Sequence, residues 1–179
     1  ATAGSVGFGT LLFLWPSSRL FLILPVWLLL RLALNAVDGM LAREFRHETR
    51  LGAYLNEVGD VISDAALYLP FGLIFPFSLA AVGSVIFLST LSEFAGVLGQ
   101  AIDRSRRYDG PLGKSDRALV FGTLAFWVGM GGTLPSWAFW IMPAIAALSS
   151  WTTVNRILPT SIARSEFPSH SGDVHARLP

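Results

Sequence analysis

The chain has 179 residues, of which 53% are hydrophobic and only 14% charged, with a mean hydropathy of +0.56. An ordinary soluble domain carries about 25% charged residues, so this balance excludes a soluble globular protein and leaves a membrane protein. The net charge of +1 says little by itself, no nucleic-acid partner is expected, and with 0 cysteines there is neither a disulfide framework nor a thiolate metal site.

Apolar runs occur in chain order at 4–16, 20–41, 51–77, 78–102, 118–133 and 135–158. Most reach the ~20 residues that cross the hydrocarbon. They predict an all-α polytopic protein with six transmembrane helices, residues 1–158 forming one membrane domain. The first run is short and begins "ATAGSVGFGTLLFLW" without an initiator Met, so helix one is expected to be recorded only in part. Neither a basic n-region nor a cleavage site marks a signal peptide there. "LFLWPSSR", "LIFPFS" and "GMGGTLPSW" read as tight turns between hairpin helices. Residues 159–179, rich in Ser, Pro and charge, are expected to form a flexible cytoplasmic tail. In it His170 and His175 read as solvated surface rather than a metal pair.

If six helices alternate, the connections near 43–50 and 103–117 share one side with the tail. That side holds Arg43, Arg46, Arg50, Arg104, Arg106, Arg107, Lys114, Arg117, Arg156, Arg164 and Arg177, whereas the opposite turns hold only Arg19. The positive-inside rule makes the basic side cytoplasmic, which in a bacterium means a multi-pass protein of the inner membrane.

Within this apolar chain the stretch "NAVDGMLAREFRHETRLGAYLNEVGDVISD", residues 35–64, is unusually polar. At ~100° per residue, Arg31, Asn35, Asp38 and Ala42 keep to one stripe of the second helix, and Gly52, Asn56, Asp60 and Asp64 to one face of the third. The short link "EFRHETR" folds the two stripes against each other. Ionisable groups inside membrane spans are costly and usually functional. Facing oxygen ligands suit a hard cation such as Mg²⁺, Mn²⁺ or Ca²⁺, and the glycines let a bulky ligand approach the backbone.

These residues resemble the CDP-alcohol phosphatidyltransferase family, whose signature is DxxDGxxAR, eight or nine residues, then GxxxDxxxD, on the second and third of six membrane helices. The string here is Asn35, Asp38, Gly39, Ala42, Arg43, eight residues, Gly52, Asn56, Asp60, which matches six of the eight motif positions. Within the family it is most similar to a bacterial inner-membrane branch with "NALDGMLARE" and "GPFGKSDRAL", over nearly the whole chain up to the tail. The resemblance implies an enzyme of phospholipid biosynthesis that displaces CMP from CDP-diacylglycerol or another CDP-alcohol by the hydroxyl of an acceptor alcohol. Its implied cofactor is a divalent metal, Mg²⁺ or Mn²⁺, on Asp38 and Asp60 with Asn35 and Asn56 in the remaining ligand positions. Asp60 and Asp38 are the implied catalytic residues, Asp60 serving as base. Arg43 is an implied contact to phosphate or nucleotide, and Gly39, Ala42 and Gly52 are the small surface that admits the cytidine. Lys114 in "GPLGKSDR" is an implied phosphate contact, with a positive-inside loop as the plainer alternative. Membrane lipids are the expected surroundings, with homodimerisation among the expectations.

Two departures qualify this. Asn stands at 35 and 56 where the family carries Asp, removing two negative charges and implying weaker or single metal occupancy. Sliding the register so that Asp60 and Asp64 become the last pair would put Asn56 at the glycine position, which disfavours it. Arg31, Asp64 and Glu93 lie deeper, either as the floor of a head-group pocket or, as we favour, as an ion-pair network that neutralises Arg31. A second function class stays open: a catalytically weak lipid- or nucleotide-binding member of the fold with a depleted metal site. A transporter is disfavoured, because the polar cluster sits at one surface and not at the midplane. Trp15, Trp127, Trp137 and Trp140 lie near span ends as an interfacial belt.

Overall fold

The computed structural model describes residues 1–45, 49–103 and 110–165, with side chains described except at 42, 43, 50, 100–103 and 159–165. All the regular structure among them is helical: α1 (Thr2–Leu14), α2 (Ser18–Glu44), α3 (Arg50–Tyr68), α4 (Leu79–Asp103), α5 (Lys114–Gly129) and α6 (Ile141–Ser165). This is what lipid enforces, since a helix satisfies its own backbone hydrogen bonds where no water is present. Among the described residues three stretches, Ser18–Leu41, Leu79–Gly99 and Ser136–Leu158, are long and apolar enough to cross a membrane by length and composition.

The surface confirms the solvent. Val26, Leu29, Phe87, Leu119 and Trp151 are exposed, whereas Arg31, Arg117 and Arg156 are buried at 3%, 1% and 4% exposure. A water-soluble bundle would reverse that distribution. Helices α2 and α5 pack together, as do α4 and α6, and α1 lies along α3. A Cβ on Gly129 of α5 would stand 2.5 Å from the Leu22 nitrogen and 2.6 Å from its Cα, so only glycine lets these backbones meet. The aromatic core sits beside this contact: Tyr68 stacks on Phe121 with centroids 3.9 Å apart, and Phe71 meets Phe21 edge-on at 5.2 Å.

Two boundaries differ from the sequence expectation. The run expected at 51–77 is not one helix. It changes at Leu69–Leu73 into a 3-10 turn, because Pro70 has no N–H to continue the α-helical ladder. At the other end, α6 follows a 3-10 turn at Ser136–Trp140 and continues past 158 to Ser165. Residues 166–179 with His170 and His175, and the basic positions Arg46, Arg104, Arg106 and Arg107, lie outside the described residues.

The two helix starts nearest the polar cluster are built locally. Thr49 caps α3, its hydroxyl accepting from the Gly52 N–H at 3.0 Å. Before α5, Asp116 Oδ2 accepts from the Gly113 N–H at 2.7 Å. Gly110 has φ +138°, a conformation glycine adopts freely, and a Cβ there would overlap Thr152 of α6. Thr152 Oγ1 accepts from the Leu112 N–H at 3.2 Å while donating its own proton to the Leu148 carbonyl one turn back in α6 at 2.9 Å. Residues 110–113 are thus fastened to α6 just before Lys114.

Candidate functional site

Five helices converge on a chain of charged side chains. From α2, Arg31 donates through Nη1 to Asp64 Oδ1, and through Nη2 to the Asp60 carbonyl at 2.9 Å and Asp60 Oδ1 at 3.1 Å. One turn on, Asn35 Nδ2 donates to the same Oδ1 at 2.6 Å. The Lys114 ammonium, at the start of α5, pairs with Asp60 Oδ2. Further in, Arg117 Nη2 donates to Glu93 Oε1 of α4 at 2.8 Å and lies 4.0 Å from Asp64 Oδ2. Arg156 of α6 closes the series, donating to the Ser92 carbonyl at 2.6 Å and lying 3.6 Å from Glu93 Oε2.

The i, i+4 spacing predicted from sequence explains how this arises. Arg31 and Asn35 present one stripe of α2, Asp60 and Asp64 one stripe of α3, and the stripes face each other. Burying three arginines is tolerable because each meets a carboxylate. The network expected around Arg31, Asp64 and Glu93 is present, with Glu93 serving Arg117 and Arg156 rather than Arg31.

Beside this chain a small cleft, open on one side, is lined by Glu57, Asp60, Asp64, Glu93, Lys114 and Arg117, with Tyr68 and Ser89 also on its wall. Four buried atoms of these side chains, Tyr68 Oη, Ser89 Oγ and Arg117 Nε and Nη1, have no hydrogen-bond partner among the described residues. Buried polar groups seldom stay unpaired, so such a concentration beside a cleft marks a place for water or a polar ligand.

The site residues expected from sequence do not all gather here. Asn35, Asp60 and Lys114 come together, whereas Asp38, Gly52 and Asn56 are exposed and Gly39 is half-buried. The side chains of Ala42 and Arg43 lie outside the described residues. Arg117, Arg156, Tyr68 and Ser89 were not singled out by the motif. For Arg117 a signal existed: it stands three residues after Lys114, on the same face of the helix and just before a run of mostly apolar residues.

Asn35, Asp38, Asn56 and Asp60, taken as a cradle for a divalent metal, do not fit one as arranged. Asn35 turns its amide N–H toward Asp60, the only orientation that does not set oxygen against oxygen. Asp60 has Oδ1 engaged by Asn35 and Arg31, and Oδ2 by Lys114.

No family model matches the chain. It is similar to the inner membrane protein YnbA of Escherichia coli (strain K12), with 49% identity over 159 residues, covering 87% of this chain and 78% of that protein. Identity at that level over that share of both chains, joined to apolar helices of membrane-spanning length, places this protein in the membrane protein family of YnbA.

Proposed function

We propose that this protein is a membrane phosphotransferase of the CDP-alcohol phosphatidyltransferase type, which displaces CMP from CDP-diacylglycerol or another CDP-alcohol by an acceptor hydroxyl. In this reading all six helices cross the bilayer and the cleft faces the cytoplasm, where the basic connections lie. The observation that carries it is the meeting of Asp60 with Lys114 on the wall of a cleft inside an apolar bundle.

The chemistry follows from what each group can do. Lys114 has three N–H donors and only one is needed for Asp60, so the others are available to phosphate oxygens. It also opens α5, whose N-terminal N–H groups add positive potential. When Lys114 passes to phosphate, Asp60 Oδ2 is released to take the proton of the acceptor hydroxyl. The acceptor oxygen forms a bond to the phosphorus that carries the lipid. The bond from that phosphorus to the bridging oxygen breaks, and CMP leaves with the electron pair. Positioning and charge compensation supply most of the catalysis in such transfers.

Purified protein in lipid nanodiscs, given CDP-diacylglycerol and a panel of alcohols, should release CMP, and Asp60→Asn should not. A second reading, a lipid- or nucleotide-binding protein without turnover, is favoured by one observation: both Asp60 oxygens are already engaged. CDP-diacylglycerol retained unchanged, with no CMP formed from any acceptor, would establish it.

A further inference from the structure

Asparagine at position 35 does more than weaken a metal ligand. A carboxylate there would set its oxygen against Asp60 Oδ1 at the separation now held by an N–H···O bond of 2.6 Å. Such an arrangement is stable only with a shared proton or a cation between the two oxygens. The amide makes a cation at that point unnecessary. On its other oxygen Asp60 already has a cation of the chain's own, the Lys114 ammonium, and Arg31 supports both Oδ1 and the Asp60 backbone carbonyl. Asp38 and Asn56, the remaining positions of the implied cradle, are exposed.

We propose that the site binds its phosphate-bearing ligand directly through the Lys114 ammonium, with Asn35 and Arg31 as positioning residues for Asp60, and without a divalent cation held between positions 35, 38, 56 and 60. The proposal rests on the reading of the cleft as a phosphotransferase site, and it assigns to one lysine the charge compensation that a metal would otherwise provide. An ammonium carries half the charge of a divalent ion, but in a poorly screened interior its attraction for phosphate is amplified. Because Lys114 is tethered by its helix start and by the clamp of Thr152 on Leu112, little positional freedom is lost when phosphate binds.

The test uses the full chain in nanodiscs of zwitterionic lipid and two probes. The first is Mn²⁺ alone, followed by electron paramagnetic resonance. The wild type should show no saturable submillimolar uptake that depends on Asp60. Uptake that disappears in Asp60→Asn, with or without CDP present, overturns the proposal, and this arm requires no variant at Lys114 to fold. The second probe is CDP, titrated calorimetrically in EDTA and in excess Mg²⁺. The dissociation constant should differ by less than about twofold between the two conditions, and Lys114→Gln should weaken binding about tenfold or more, which is ~1.4 kcal/mol. Binding that needs Mg²⁺, or that is indifferent to Lys114→Gln in a folded protein, overturns it. If CDP binds under neither condition, the CDP-dependent function falls, and the Mn²⁺ result alone decides whether the carboxylates hold a metal.

Discussion

Asn35 and Asp60, twenty-five positions apart in sequence, are joined by a hydrogen bond of 2.6 Å between α2 and α3. Replacing that amide by a carboxylate converts a donor into a like charge. Asn35→Asp should therefore lower stability by about 1–3 kcal/mol in EDTA, from the lost bond and the repulsion together. Thermal unfolding monitored by tryptophan fluorescence checks this. A variant as stable as wild type in EDTA would mean the two side chains are not in contact.

Asp60 and Asp38 differ in placement, since only Asp60 lies on the cleft wall. Asp60→Asn should reduce CMP release by more than about 100-fold, and Asp38→Asn by much less, with the double variant showing the product of the two effects. Residues that act as one unit give double variants no worse than the worse single one. That outcome would show that both share one ligand or ion.

Thr152 does not line the cleft, yet its hydroxyl accepts from the Leu112 N–H just before Lys114. Thr152→Val should loosen the segment that aims Lys114. The expected result is a KM for the CDP-lipid raised about three- to tenfold with kcat less affected, as for the loss of one or two ordinary hydrogen bonds. Thr152→Ser should restore it. Equal loss in both variants would trace the effect to the methyl group and its packing instead.

Glu93 lies between two nearly inaccessible guanidinium groups, with Arg117 at 2.8 Å and Arg156 at 3.6 Å. Removing its charge leaves both cations undercompensated, so Glu93→Leu should destabilise the bundle by about 3–5 kcal/mol. The double variant Glu93→Leu with Arg117→Met should recover part of that loss, as read in detergent-unfolding midpoints. No recovery would show that Glu93 acts chiefly through Arg156.

Topology is testable because the chain has no cysteine of its own. Single cysteines at Thr49 and Ser115 should be labelled by an impermeant reagent from one face of the membrane, and those at Ser17 and Thr133 from the other. All four positions are exposed. Labelling of Thr49→Cys and Ser115→Cys from opposite faces would defeat the six-span arrangement.

The sequence by itself determined that the chain is helical and apolar enough for a membrane, because lipid leaves a polar backbone few options and composition reports the solvent directly. It also determined that Arg31 and Asn35 share a stripe and that Asp60 and Asp64 share another. These are local consequences of 3.6 residues per turn. The break at Pro70 was harder to read, since the residues on both sides are equally apolar and hydropathy carries no mark of a change in helix type. Only the tertiary structure decided which cations meet the carboxylates. Lys114 reaches Asp60, and Arg117 and Arg156 reach Glu93, because α5 packs on α2 and α6 on α4. Those pairings join residues 24 and 63 positions apart for Glu93, 117 − 93 and 156 − 93, and no helical period spans such distances. They depend on which backbones can approach, as at Gly129 and Leu22, and on the requirement that each buried charge finds a partner of opposite sign. Asn35 shows the same division: its identity is written in the sequence, but its choice of donor rather than acceptor was set by the carboxylate that the fold placed beside it.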